Sequence, residues 1–366
     1  MPRQSSVLLV STEHTFYIIT IYSGDSENHR EGFRNSKGGI LDVKVLFAGL
    51  DYYGYTTKII REFERLGATV DFVDIQPGSL GMKIWRTVMP ASYQRAAHLR
   101  NARTIERTVA TRYDRVVFLQ AHQIAFETLA RLRELQPQAR FVLYNWDALT
   151  THDYLPQAPL FDEVHTFDPV DARAHGFYYL PLFCSREMQG LARNRAPTRS
   201  VYTVGNIVNP RRYDAIKAFE TYCNQHDIAF EAFMKISLVV YMRFLRAGRI
   251  PRGVSLRSIK PEAFRAMIER SAATFDFANH QAQAGHTMRT FENLCGGKKI
   301  ITNNRSVRDE AFFSDDQFLV YEALDFTGVA EFLDRPLADI QAEFPQYRIQ
   351  AFARALLGCN AADQHT

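Results

Sequence analysis

Within the stretch HTMRTFENLCGGKKIITNN, residues 286–304, Arg289 and Glu292 stand three apart in a segment of helical spacing. Residues at that spacing share a helix face. An arginine one turn ahead of a glutamate offers a cation to phosphate oxygens and a carboxylate to ribose hydroxyls; the competing reading is an i,i+3 surface ion pair. The loop ahead of it, in ANHQAQAGHTMRTFE (278–292), enters the helix near Thr287, whose hydroxyl is placed to cap first-turn amides. Gly285 lets the backbone approach a ligand closely, and a helix N-terminus favours a phosphate. Met288, Phe291 and Cys295 fall at i, i+3 and i+7 and are expected to face the core. Gly296 and Gly297 are expected to end the helix through a left-handed cap.

A second set of residues suits proton transfer. Asp51, His122 and Asp147 each follow an apolar run that reads as a strand, and a general base must lie within hydrogen-bond reach of the hydroxyl it deprotonates. Each has a structural alternative. Asp147 suits a carboxylate capping the turn from Ala148 to His152, Asp51 a turn residue, and His122 a hydrogen-bonded loop histidine. Asp168 and Asp171 flank Pro169 and are expected to stabilise a helix start. Lys298 and Lys299 read as a solvated strand edge, with phosphate neutralisation as their second reading. No DxD pair stands in a loop position, so no metal site is indicated.

These residues need strands and helices to position them. VKVLFAGL (43–50), ATVDFVD, RVVFLQ (115–120) and RFVLYNWD (140–147) read as buried strands, and helical patterns separate them. The region from Leu80 to Thr111 is helical in pattern, with Pro90 as a break. EVHTFD (163–168), the short helix-like PVDARAHG and FYYLPLF (177–183) complete the set. Residues 184–199 lose periodicity and suit a link, after which the alternation restarts with SVYTVG. FEAFMKISLVVYMRFLRAG is ambiguous between strand and helix. Alternation of this kind implies a parallel sheet covered on both faces. The expectation is α/β, with two Rossmann-like domains facing each other across a cleft. Residues 1–40 form an N-terminal extension, 41–190 the first domain, 191–335 the second, and 336–366 a C-terminal helix and tail that could pack across the two.

At 366 residues the chain has length for two ordinary domains. Its hydrophobic share of 46% and charged share of 23% suit a globular protein rather than a disordered one. The net charge of +4 suits anionic substrates or a membrane surface and gives no support to nucleic acid as partner. Cys184, Cys223, Cys295 and Cys359 lie far apart in sequence with neither metal-ligand nor CxxC spacing. They read as reduced core thiols of a cytoplasmic protein. In the N-terminal apolar run Glu13 and His14 interrupt any signal or anchor reading.

The order YNWDALTTHDYLP, FDEVHTFDPVDARAHGFYYLPLF, VGNIVNPRRY and FANHQAQAGHTMRTFENLCGGKKIITNN resembles bacterial capsular-polysaccharide and lipopolysaccharide-core biosynthesis glycosyltransferases of the GT-B fold. The resemblance covers roughly residues 43 to 325, and the TMRTFE block is its most specific part. It implies a metal-independent glycosyltransferase of hexosyltransferase type without cofactor. The enzyme would move a sugar from a nucleotide-diphosphate sugar to a surface-polysaccharide or lipid-linked glycan, in the cytoplasm or at the inner face of the membrane. By the same resemblance Glu292 would hold the donor ribose. Arg289 and the amides after Gly285 would face the diphosphate, Gln283 and Thr287 would belong to the same donor site, and Gly205, Asn206 and Arg212 would line the opposite wall. The loop VGNIVNPRRY departs from the family's small, polar turn, which bears on Asn206. Two further readings remain: a nucleotide-sugar epimerase, and a non-catalytic nucleotide-sugar-binding protein.

Overall fold

The computed structural model describes residues 7–12, 15–20, 42–50, 54–75, 82, 85, 89–108, 110–189, 191, 198–278, 284–337 and 344–359. The chain divides into two compact units, Met1–Pro181 with Gln350–Thr366, and Leu182–Ile349. Near the N-terminus, β1 (Val7–Thr12) and β2 (Thr15–Thr20) pair antiparallel as a two-stranded sheet of their own.

In the first unit β3 (Lys44–Gly49), β4 (Thr69–Asp74), β5 (Arg115–Leu119), β6 (Arg140–Asn145), β7 (Glu163–Thr166) and β8 (Tyr178–Tyr179) form one parallel sheet in the order β4-β3-β5-β6-β7-β8. Helices α1 (Tyr55–Arg65), α2 (Pro90–Thr108), α3 (Phe126–Leu135) and α4 (Pro169–His175) connect them. Val45 to Ala48, Val116 to Leu119 and Phe141 to Tyr144 are almost wholly buried, as strands covered on both faces must be. The helical region is interrupted at Pro90 as expected: Met82 and Trp85 are helical, Met89 is not, and Pro90 opens α2; with no N–H to lose and a helical φ, proline suits the first helical position. Asp168 caps α4 as expected, its Oδ1 accepting from the amides of Val170 (2.8 Å) and Asp171 (3.3 Å). Asp171 instead reaches back to accept from the Leu149 amide at 2.8 Å.

The second unit holds α5 (Arg186–Gln189), α6 (Pro210–Gln225), α7 (Leu238–Arg246), α8 (Pro261–Glu269), α9 (Met288–Cys295) and α10 (Val329–Asp334). Its strands β9 (Ser200–Ile207), β10 (Ala229–Ile236), β11 (Val254–Ser255), β12 (Ala273–Asp276), β13 (Lys299–Thr302) and β14 (Phe318–Val320) make a parallel sheet in the order β11-β10-β9-β12-β13-β14. The ambiguous segment becomes β10 followed by α7, separated by Ser237, whose hydroxyl accepts from the Val240 amide at 3.3 Å. Phe219, Phe275, Tyr321 and Phe326 lie at the centre of the core, with the rings of Phe219 and Phe275 stacked 4.1 Å apart. The last helix, α11 (Ile349–Leu357), belongs from Gln350 onward to the first unit, within which Phe352 stands edge-on to Tyr144 at 4.7 Å.

Two readings need correction. Lys298 and Lys299 are buried at the start of β13, not solvated. Lys298 Nζ donates to the Ser271 carbonyl at 2.7 Å. Lys299 Nζ donates to the carbonyls of Phe332, Leu333 and Arg335, at the C-terminal turn of α10. Three acceptors at a helix C-terminus make burial of an ammonium tolerable, although burial still pushes Lys299 down to about 8. Both lysines occupy the amino edge of the sheet, opposite the strand ends where ligands bind. The cysteines are free thiols, yet Cys184 and Cys295 are not apart: a hydrogen bond between them, with burial, pushes the Cys184 thiol up.

Candidate functional site

In the second unit the strand order reverses between β9 and β12, and the carboxyl edge at such a switch point is where parallel sheets bind ligands. The loop after β9 ends at Asn209, which caps α6 by accepting from the Arg212 amide at 3.0 Å, and Pro210 takes the first helical position. This sets Arg212 in the first turn of α6. Its guanidinium then folds back over Gly205: a Cβ at residue 205 would stand 2.9 Å from the guanidinium carbon. A side chain at 205 would therefore displace the guanidinium from this position, and glycine leaves it room. Arg212 is only 7% exposed, and its Nε has no hydrogen-bond partner among the described residues. Burial and the nearby charge of Arg289 push it down to about 10, so it stays charged at neutral pH.

Arg289 comes from the other side of the switch point. Its Nη1 donates to Asp276 Oδ1 at 2.7 Å, so its carboxylate partner is the last residue of β12, beyond either reading made from the helix alone. Asp276 Oδ2 also accepts from Thr302 Oγ1 at 3.4 Å. Asn293 fixes the same helix: its Nδ2 donates to the Arg289 carbonyl at 2.8 Å, and its Oδ1 accepts from the Tyr202 hydroxyl at 2.9 Å. Arg289 thus bonds a buried carboxylate whose charge also bears on Arg212, and the two guanidiniums stand near one another at this edge.

The remaining donor-side candidates divide. Gly285 is buried in the loop, Thr287 is exposed, and Gln283 lies outside the described residues. Thr287 is the N-cap residue of α9, but its hydroxyl caps no amide. The adjacent His286 holds the loop instead: its Nε2 lies 3.0 Å from Glu310 Oε1 and its Nδ1 3.3 Å from Asn304 Nδ2. Glu292 is buried, and its charge bears on Tyr202 and Cys184. Asn206 points the opposite way from Gly205 in the strand alternation and is exposed. Gly297, at φ 62°, provides the left-handed residue that ends α9.

In the first unit the switch point lies between β3 and β5. Asp51, beyond β3, lies outside the described residues. His122 follows β5 and Asp147 follows β6, and strand pairing brings them near one another. Asp147 Oδ2 accepts from the Gln120 side-chain amide and stands 3.9 Å from His152 Nε2. The His152 ring stacks on His122, with centroids 3.9 Å apart and planes 7° from parallel. Burial first, and then the charge of His152, pushes His122 down to about 4. It is a neutral imidazole at pH 7, while Asp147, with 40% of its side chain exposed, keeps access to solvent.

No family model matches the chain, and no curated protein matches it. Solved structures do. The lipopolysaccharide outer core galactosyltransferase WaaB, in its apo form, is 13% identical, with 86% of this chain and 99% of that one covered at a TM-score of 0.50. An α,α-trehalose-phosphate synthase (UDP-forming) from Burkholderia xenovorans, in complex with glucose-6-phosphate, is 12% identical, with 86% and 100% covered at a TM-score of 0.54. The chain has the GT-B fold. A Listeria monocytogenes protein assigned as a UDP-N-acetylglucosamine 2-epimerase also aligns, 12% identical over 89% and 98% of the two chains at a TM-score of 0.52. At such identities the likeness is one of fold.

Within this GT-B chain the sequence reading missed Asp276, Asn209, His286 and His152. Asn209 had a signal, an asparagine directly ahead of Pro210. The others depend on contacts between segments. Among the described residues no cluster of three metal-ligating side chains is present, and no helix is long and apolar enough to cross a membrane.

Proposed function

We propose that the chain is a glycosyltransferase that moves a sugar from a nucleotide-diphosphate sugar to a surface-polysaccharide or lipid-linked glycan, working at the inner face of the membrane without a metal cofactor. The observation that carries this reading is the buried Arg212 guanidinium over Gly205, its Nε unpartnered, with Arg289 across the same switch point. Two guanidiniums at that edge suit a diphosphate, whose charge grows as the sugar leaves. The acceptor hydroxyl oxygen would attack the anomeric carbon as the bond from that carbon to the diphosphate oxygen breaks, and the electron pair leaves with the nucleoside diphosphate. Asp147 would take the hydroxyl proton, with Gln120 fixing the carboxylate. Glu292 would hold the ribose.

Calorimetric titration of UDP, GDP, CMP and ADP tests the donor site, with one nucleoside diphosphate expected to bind. No binding by any of them at millimolar concentration overturns the reading. The Listeria neighbour favours an epimerase as second reading; interconversion of the donor sugar with no acceptor present would select it. Binding without any turnover would select a non-catalytic nucleotide-sugar-binding protein.

A further inference from the structure

We propose that the β11 edge of the second unit, from α7 to the loop ahead of α8, is a docking surface for a bilayer rich in anionic lipid. From Ala232 to Pro261 the chain carries seven lysines and arginines and no aspartate or glutamate. The net charge of the whole chain is only +4, so all the other residues together are net acidic and the positive charge is local. Arg243, Arg246, Arg252 and Lys260 are exposed along this edge. Arg249 is set aside, because it pairs with Asp214 of α6, Nη1 to Oδ2 at 3.3 Å, and lies over the Phe244 ring at 5.2 Å. Glu262, in the first turn of α8, is the next carboxylate in the chain.

Aliphatic side chains stand among these cations. Ile250 is 69% exposed, Leu256 59% and Leu245 38%. Branched aliphatics held in water beside arginines gain free energy when they enter the headgroup boundary, while the cations meet lipid phosphates. The loop that carries Ile250 is fixed: the Tyr213 hydroxyl accepts from the Arg252 amide at 2.9 Å and donates to the Arg252 carbonyl at 3.3 Å, and Pro251 is buried. The surface is therefore preformed and its binding orders little further chain. Single-stranded nucleic acid is disfavoured, since it stacks its bases on exposed aromatic rings, and between Arg243 and Lys260 the one aromatic, Phe244, is buried.

The inference does not depend on the nucleotide site and is tested without nucleotide. The full chain is sedimented with vesicles of equal parts phosphatidylcholine and phosphatidylglycerol, and with phosphatidylcholine vesicles alone. It is expected to pellet with the first only, and less as salt rises. Arg243→Gln/Arg246→Gln/Arg252→Gln is expected to weaken the partition by roughly a hundredfold, since each cation near an anionic surface contributes about fivefold. Ile250→Asn should weaken it several-fold. Arg61→Gln/Arg95→Gln/Arg103→Gln, an equal charge change on α1 and α2, should leave it near the parent value. Parent protein that stays in the supernatant overturns the proposal, as does equal loss in the two triple variants or unchanged pelleting of the first at a parental melting temperature. Tighter binding of a single-stranded oligonucleotide than of vesicles, lost in the first triple variant, overturns it in favour of nucleic acid.

Discussion

At the carboxyl edge of the first sheet stand an amide, two imidazoles and a carboxylate, Gln120, His122, His152 and Asp147. At that of the second stand two guanidiniums and one carboxylate, Arg212, Arg289 and Asp276. Both sheets are parallel and six-stranded, and both place these groups beside the point where strand order reverses. Architecture sets where the groups gather, and side-chain identity sets what they can do. Burial separates them further. It keeps His122 uncharged at neutral pH, whereas Arg212 starts from so high a value that a fall to about 10 leaves it a cation. One edge carries a carboxylate and a neutral imidazole, and the other two fixed guanidiniums.

The largest effect that would break this division is loss of the proposed base. Asp147→Asn keeps the shape of the side chain and its contact with Gln120 but removes the proton acceptor, and turnover should fall by roughly 10²–10⁴. Nucleotide affinity, measured by calorimetry, should stay at the parent value. Unchanged turnover would remove Asp147 as the base.

Arg289→Ala tests the other edge. It should weaken nucleoside diphosphate binding by roughly ten- to a hundredfold, as expected for one charge-assisted contact, and leave nucleoside binding unaffected. It also takes the ion-pair partner from Asp276, 7% exposed at its side chain, which keeps Thr302 Oγ1 and the nearby charge of Arg212, so the cost in unfolding free energy should be about 1–3 kcal/mol. The double variant Arg289→Ala/Asp276→Ala should recover much of that stability and none of the affinity. Recovery of both would mean that Arg289 serves only its ion pair.

How much of this was legible in sequence depends on how local each feature is. The strand, loop and helix around Gly285, Thr287 and Arg289 could be read because apolar period and glycine stops lie within a few residues of one another. Asp276 could not be, because in ATFDFA it reads as one more strand position, and its contact with Arg289 needs β12 and α9 to be packed first. His152 was missed for the same reason: it reaches His122 only through the pairing of β5 with β6. Lys298 and Lys299 were misread because charge suggests solvent, and nothing near them in sequence announces the carbonyls at the end of α10. The two parallel α/β sheets were legible from strand–helix alternation, and GT-B was implied by the resemblance of the motifs.

A smaller effect concerns acid stability. His122 has a folded-state value near 4 against an ordinary 6.5. Between those values the unfolded chain binds a proton that the folded chain refuses, so stability is lost as pH falls through that window. His122→Gln should flatten the loss, seen as a shallower fall of the urea midpoint between about pH 6.5 and about 4. An unchanged slope would mean that the imidazole protonates as easily folded as unfolded, and the contrast between a neutral edge and a charged one would weaken.

The smallest effect separates the two helix starts. Asp168 at α4 bonds two first-turn amides, whereas Thr287 at α9 bonds none. Asp168→Ala should therefore cost about 1–2 kcal/mol in denaturant unfolding, and Thr287→Ala no more than a few tenths. The first helix bonds its amides to its own capping carboxylate, whereas at the second the Thr290 amide bonds the Thr287 carbonyl at 3.0 Å and the hydroxyl takes no part. If Thr287→Ala costs as much as Asp168→Ala, the threonine hydroxyl caps α9 in solution and competes with a phosphate for the amides at that end.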